Sequence, residues 1–355
     1  MDTQQTRQGI FFALGAYFIW GVAPAYFKLI QQVAPGEIMT HRVIWSALFM
    51  LLLISVSRSW PRVKTVMRQP KKVLMLAVSA TLVGGNWLLF IWAVNNHHML
   101  EASLGYFINP LLNVVIGMLF LGERFRRMQW LAVLLATAGV LVQLWKFGSL
   151  PLIALGLALS FSLYGLTRKK IAVDAQSGML IETLWLFPVA SWYLFGIADS
   201  ATSHLSHNSA MLNLLLIAAG IVTTIPLMLF TAAATRLRLS TLGFFQYLGP
   251  TLMFLLAVLF YGEAMTPDKA VTFGFIWLAL ALFIIDALYT MRRSRTGKAC
   301  DKARHSRAGK QNGKQPQRLQ RHDESDIDPA SCSNNRHGIQ PTRAGSQISG
   351  QQIDM

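Results

Sequence analysis

The chain has 355 residues, of which 53% are apolar and only 14% charged, and a formal net charge of +16. That balance excludes an ordinary soluble domain, in which about 25% of residues are charged, and indicates a polytopic helical membrane protein. Nucleic acid is not needed to explain the positive charge, because basic residues collect on the cytoplasmic side of membrane proteins.

In chain order, ten apolar stretches are predicted to cross the bilayer: 9–31, 35–57, 72–95, 101–121, 128–146, 149–167, 178–198, 211–234, 240–262 and 269–290. Each is near the roughly 20 residues that span hydrocarbon as a helix, and in lipid such a segment must satisfy its own backbone. The first stretch lacks a small-residue cleavage site and reads as a retained helix, not a signal peptide. One set of loops carries Arg7, then Arg58, Arg62, Lys64, Arg68, Lys71 and Lys72, then Arg124, Arg126 and Arg127, then Arg168, Lys169 and Lys170, then Arg236 and Arg238. The opposite set holds Lys146 and Lys269, with Lys28 near a helix end. The positive-inside rule therefore predicts that both termini are cytoplasmic. From residue 292 the chain is polar and basic and is expected to be a disordered cytoplasmic tail. Both cysteines, Cys300 and Cys332, lie there, which leaves the spans without a thiol for a disulfide, a metal or catalysis.

Two segments look like copies. Leu104-Gly105-Tyr106-Phe107 matches Leu242-Gly243-Phe244-Phe245, and each is followed by a proline (Pro110, Pro250) and, at equal spacing, by Gly122-Glu123 or Gly262-Glu263. A weaker echo pairs Trp20-Gly21 with Tyr164-Gly165. Five spans per copy is an odd number, so the second copy enters the membrane inverted. Inverted repeats are a common transporter construction, with the substrate site where the halves meet. The expected organisation is an all-α integral membrane protein: a first repeat over 1–146, an inverted second repeat over 149–291 and a tail over 292–355.

Ionisable side chains in a bilayer cost about 2.5–3.5 kcal/mol each on insertion scales, so each needs a reason. Glu37, His41 and Trp45 recur at i, i+4, i+8 on the second span, with Arg42 beside them and Ser46 a turn deeper. Glu37, His41 and Arg42, with Glu182 of span seven, are candidates for a proton relay, since histidine changes charge in the physiological range. The competing role is a salt bridge that fixes packing. Trp20, Pro24 and Lys28 lie on one face of span one. Proline frees a carbonyl and Gly21 adds pliability, so a break or gate is expected there. Lys28 is a candidate for a substrate carboxylate or for Glu37, or it snorkels to the surface.

Asn86 and Trp87 mark span three, and Tyr106, Asn109 and Asn113 make a polar stripe on span four whose counterpart is Gln246 and Tyr247. Such amides face the bundle interior, where gluing helices is the commoner use and substrate contact the alternative. Trp185 and Trp192 follow Glu182 along span seven, and Trp192 reads as an interfacial anchor. The hydroxyls of Thr223, Thr224, Thr231 and Thr235 around Pro226 are expected to re-satisfy the backbone. Glu123 and Glu263 read as caps or loop partners.

The run Gly9-Ile10 to Ile19-Trp20-Gly21-Val22, the segment Glu37, His41-Arg42, Trp45-Ser46, and the run Pro110, Gly122-Glu123, Gln129 resemble the EamA branch of the drug/metabolite transporter superfamily over roughly residues 1–295. The resemblance implies a bacterial inner-membrane permease of ten helices in two inverted five-helix repeats, with a link to chloramphenicol resistance. No Walker A pattern is present, so ATP is not expected to drive transport, and no H-E-x-x-H spacing suggests a metalloenzyme. The expected activity is export of small amphipathic metabolites or drugs. The alternatives are a lipid-linked substrate flippase and a facilitated uniporter of aromatic amino acids. No cofactor is expected. The expected partners are a small-molecule substrate and membrane lipid. The sequence does not set the oligomeric state, and a monomer suffices because one chain supplies both halves.

Overall fold

A computed structural model of the chain describes residues 3–286 and 289, apart from 97, 149, 199, 201, 203, 204, 207 and 261–269. Glu263, Lys269 and the 292–355 tail thus lie outside the described residues. Residues 1–284 form one packed unit, and of the second, 285–355, only 285, 286 and 289 are described. The described residues are helical, with no strand among them. The helices are α1 Thr3–Lys28, α2 Pro35–Val56, α3 Trp60–Met67, α4 Pro70–Asn95, α5 Met99–Leu121, α6 Arg127–Phe147, α7 Leu152–Ile171, α8 Ala175–Gly196, α9 Ala210–Arg236, α10 Leu239–Gln246 and α11 Leu248–Phe260. A further helix, α12, covers Ala270–Asp286. Eight segments are long and apolar enough to cross a membrane: α1, α2, α4, α5, α6, α8, α9 and the run of α10 into α11.

The helix ends follow local chemistry. Pro35 opens α2 at a position whose N–H needs no partner. Asp174 accepts from the Ser177 N–H to start α8, and Ser209 accepts from the Leu212 N–H to start α9. Gly122 and Gly148 end α5 and α6 in the left-handed region.

In lipid, helices associate through close packing and hydrogen bonds more than through apolar burial. Helix α1 packs on α9 and α11, α2 on α8 and α9, α4 on α7 and α8, and α5 on α7 and α10. The central core joins Ala13, Ala16 and Tyr17 of α1, Tyr164 of α7, Phe230, Ala233 and Ala234 of α9, and Leu239 and Leu242 of α10. Where α2 crosses α9, the Ser46 hydroxyl donates to the Gly220 carbonyl at 3.0 Å.

Several expectations change here. The basic loop between the second and third predicted spans contains a short helix, α3. It buries Val63 and Val66 and leaves Arg62 and Lys64 exposed, as an interfacial amphipathic helix does. Helix α1 runs unbroken through Pro24, and Gly21 serves packing: a Cβ there would lie 2.6 Å from the Leu252 Cβ of α11. The ninth predicted span is instead interrupted, at Tyr247, where α10 gives way to α11. Pro250 contributes by offering no N–H to the carbonyl of Gln246, but it is not sufficient, since α5 runs unbroken through Pro110 in the matching motif.

Candidate functional site

Near the end of the bundle where α2 begins, three candidates that the sequence assigned to different roles meet. Helix α2 places Arg42 two turns from its start, roughly 10 Å in at 1.5 Å per residue. Its Nε donates to Thr223 Oγ1 of α9 at 2.8 Å. Its guanidinium carbon lies 4.8 Å from the ring centre of Trp87 (α4) and 5.2 Å from that of Phe27 (α1). Cation–π contact of this kind partly offsets the desolvation of the charge. The hydroxyls of Tyr26 and Tyr106 are within electrostatic range of the same group. Tyr26 is tied to the Leu215 carbonyl, whereas Tyr106 is 40% exposed and stacks edgewise on Phe90.

Of the relay candidates, Glu37, His41 and Arg42 are not joined by a hydrogen bond, although Glu37 lies within electrostatic range of His41. The i, i+4 spacing keeps Glu37 and His41 on one face of α2, and Arg42 is turned by one residue, about 100°, toward α4 and α9. The Glu37 carboxylate accepts from Thr202 Oγ1 at 2.9 Å. His41 Nδ1 accepts from Trp45 Nε1 at 3.3 Å, and its Nε2 is buried without a hydrogen bond. His41 and Trp45 line a cavity of about 310 Å³ with Ile44, Leu194, Phe195, Leu205 and Ser206.

The amides form a ladder across the middle of the bundle. Asn109 Nδ2 donates to the Ala158 carbonyl at 3.1 Å, and Asn113 Nδ2 to Asn109 Oδ1 at 3.1 Å and Gln246 Oε1 at 2.9 Å. Asn86 Nδ2 donates to the Leu157 carbonyl and to Ser160 Oγ, both at 2.8 Å. Tyr247 donates to the Phe107 carbonyl at 3.3 Å. These side chains join α4, α5, α7 and α10–α11, the gluing use. Trp20 sits among Tyr17, Phe161 and Phe230, with ring centres 5.7–5.8 Å away.

The opposite end holds a pair that sequence reasoning missed. Arg168 is 1% exposed in the last turn of α7, although it reads as part of a cytoplasmic basic loop. Its Nη1 lies 3.4 Å from Oε1 of Glu182, itself 1% exposed. Ser79 of α4 donates to the same Oε1 at 2.6 Å. Gly178 makes room: a Cβ there would lie 2.0 Å from Arg168 Nη1. No nitrogen of the guanidinium has a hydrogen bond, nor does Oε2 of Glu182. The Tyr164 hydroxyl faces the carboxylate without a hydrogen bond of ordinary geometry. Next to Arg168, Lys169 donates to the Ala234 and Leu237 carbonyls at the end of α9, a favourable place for a cation. The only sequence signal was Gly178 one turn before Glu182, which leaves space for a planar cation without naming it.

One pathway candidate, Trp185, is not brought to either group. Trp185 is 51% exposed, as Trp192 is at 68%, because both project from the outer side of α8 while Glu182 points inward. Lys28 is exposed in the last turn of α1. Glu123 behaves as expected of a cap: its carboxylate accepts the Leu239 and Ser240 N–H groups at 2.6 and 3.0 Å, together with the Ser240 hydroxyl.

A bundle of apolar helices with ionisable groups buried between them is a construction found in membrane transporters. Residues 7–145 match the model of the EamA-like transporter family. The chain is 74% identical to Protein RarD of Escherichia coli (strain K12) over 294 residues, covering 83% of this chain and 99% of that protein. It is 57% identical over 297 residues to an uncharacterized transporter of Vibrio cholerae, with 83% and 98% covered. It is 33% identical over 290 residues to the chloramphenicol-sensitive protein RarD of Pseudomonas aeruginosa, with 81% and 96% covered. A solved crystal structure at 18% identity superposes with a TM-score of 0.62 over 79% of this chain and 98% of its own, a likeness of fold. The chain belongs to the EamA-like transporter family and is a multi-pass protein of the bacterial inner membrane.

Proposed function

We propose that the chain is a secondary transporter that exports small amphipathic metabolites or drugs by alternating access between two inverted halves, 1–146 and 149–291. The pattern of helix neighbours carries this reading. Helix α1 packs on α9 as α7 packs on α4, α2 on α9 as α8 on α4, and α1 on α11 as α7 on α5. Exchanging α1, α2, α4 and α5 with α7, α8, α9 and α10–α11 leaves these contacts unchanged, and the pairs α2–α8 and α5–α10 map onto themselves, while α7 packs on α9 without a matching α1–α4 contact of similar extent. The correspondence supports ten spans, with α7 the sixth and α12 the tenth. It also supports an interface between halves of the kind that holds substrate in inverted-repeat transporters.

On this reading Arg42, Trp87 and Tyr106 line the pathway toward the periplasm, and Arg168, Glu182 and Ser79 close it toward the cytoplasm. Asn86, Asn109, Asn113, Gln246 and Tyr247 hold the two halves in register, with Trp20 in the aromatic core beside them. Among the relay candidates, His41 and Glu182 are retained, because each has a buried atom without a hydrogen-bond partner.

The test is uptake of a labelled panel, including chloramphenicol and aromatic amino acids, into everted membrane vesicles with and without an imposed proton gradient. Accumulation of one compound that requires the gradient, and that falls to gradient-independent equilibration in Glu182→Gln or His41→Ala, supports a proton-coupled exporter and names the relay. Equilibration without accumulation supports a uniporter. Failure of the whole panel counts against soluble amphipathic substrates and toward a lipid-linked one.

A further inference from the structure

We propose that the Arg42 guanidinium, held between the rings of Phe27 and Trp87 and open toward Tyr106, binds the carboxylate of a flat, apolar-bodied organic anion. The inference rests on the permease reading, since it names the substrate class of that pathway.

Arg42 is a permanent charge two turns inside the bundle, and among the described residues no carboxylate pairs with it. The nearest candidate on its own helix, Glu37, gives its carboxylate to Thr202. Of the guanidinium's donors, Nε is used on Thr223, and the outer nitrogens have no hydrogen bond to a described residue. Arg42 is half-buried, and a charge partly withdrawn from water without its counter-charge is costly, so an anion arriving from solution gains more here than at a fully exposed arginine. The fork of outer N–H groups suits the two oxygens of a carboxylate.

The surroundings restrict what the anion is attached to. Trp87 and Phe27 cover the guanidinium at 4.8 and 5.2 Å, and Phe90 backs Tyr106 at 6.3 Å between ring centres. These walls suit a planar or apolar body lying beside its own charged group. Within electrostatic range of Arg42 are the hydroxyls of Tyr26 and Tyr106, and one guanidinium fork flanked by hydroxyls suits a single carboxylate. Tyr106 is the partner able to complete the site, because its hydroxyl has no hydrogen bond among the described residues.

The test is calorimetric titration of the full-length protein in detergent with 3-phenylpropionate, 3-phenylpropionamide and inorganic phosphate. The acid is expected to bind about tenfold or more tighter than the amide, as a charge-assisted bidentate contact requires. Phosphate is expected not to compete. Arg42→Gln should abolish the preference for the acid, and Arg42→Lys should keep part of it. Trp87→Leu and Tyr106→Phe should each weaken the acid severalfold, and they decide the matter if Arg42→Gln does not fold. Equal binding of acid and amide, an unchanged preference in Arg42→Gln, or competition by phosphate as strong as by the acid overturns the proposal. So does an absence of binding by all three probes. Vesicles that transport a panel compound while the acid fails to bind would sink this inference and leave the permease standing. Arg42-dependent binding without transport of any compound would do the reverse.

Discussion

Among single residues the most consequential contact is Arg168 against Glu182, because two charges are removed from both water and lipid. Pairs of this kind are held together by the cost of separating them more than by any net gain from forming them. Glu182→Ala leaves Arg168 buried without a counter-charge and is expected to destabilise the bundle by about 3–5 kcal/mol, read as a loss of unfolding free energy in detergent. The double variant Arg168→Met with Glu182→Leu should cost markedly less than Glu182→Ala alone. Equal losses in the two would mean that the pair is not energetically coupled. Gly178→Ala tests the same site sterically: its Cβ has to displace the guanidinium, so it should impair the protein although alanine is the better helix former. The sequence shows Glu182 as a carboxylate in the inner half of a span, and that much was legible. It does not show Arg168 as buried, because a basic residue at the head of Arg168-Lys169-Lys170 has the same signature whether it snorkels or turns inward.

For the helices, hydropathy located α1, α2, α4 to α6, α8 and α9 close to their observed ranges, since each needs only length and apolar content. It could not see α3, which is too short and too charged to register in a span-length average. It also joined α10 and α11 into one stretch, although Pro250 and the duplicated motif were visible. The interruption depends on what α10 docks against. Glu123, at the end of α5, supplies that anchor by taking the first N–H groups of α10. Glu123→Ala should therefore cost about 1.5–3 kcal/mol, typical for a hydrogen-bonded charged group. It should also raise the hydrogen exchange of the α10 amides, leaving α2 unchanged. Uniform exchange across both helices would mean that Glu123 does not act through α10. The amides Asn109, Asn113 and Gln246 were legible as a stripe with gluing and substrate contact as its two uses, and which helices they join was not, because partners such as the Ala158 carbonyl lie on another span.

For the whole molecule, the odd-numbered repeat and the alternation of basic loops both suggest two halves of opposite orientation, and the exchange-symmetric pattern of helix neighbours accords with them. The neighbours of Arg42 were not legible in the sequence: it follows His41 directly, but one residue of helix rotation turns it toward Thr223, Trp87 and Phe27. The central claim is that access alternates between an outer opening at Arg42 and Tyr106 and an inner seal at Ser79, Arg168 and Glu182. The most direct measurement is cysteine accessibility to a membrane-impermeant maleimide in a chain whose Cys300 and Cys332 are replaced by serine. Cysteines are placed singly at Tyr106 and at Ser79, and labelling is compared in whole cells and everted vesicles with and without transported substrate. The account predicts that position 106 labels from the periplasmic side, that position 79 labels from the cytoplasmic side, and that substrate moves the two rates in opposite directions. Labelling of both positions from the same side, or rates that rise and fall together, would contradict it.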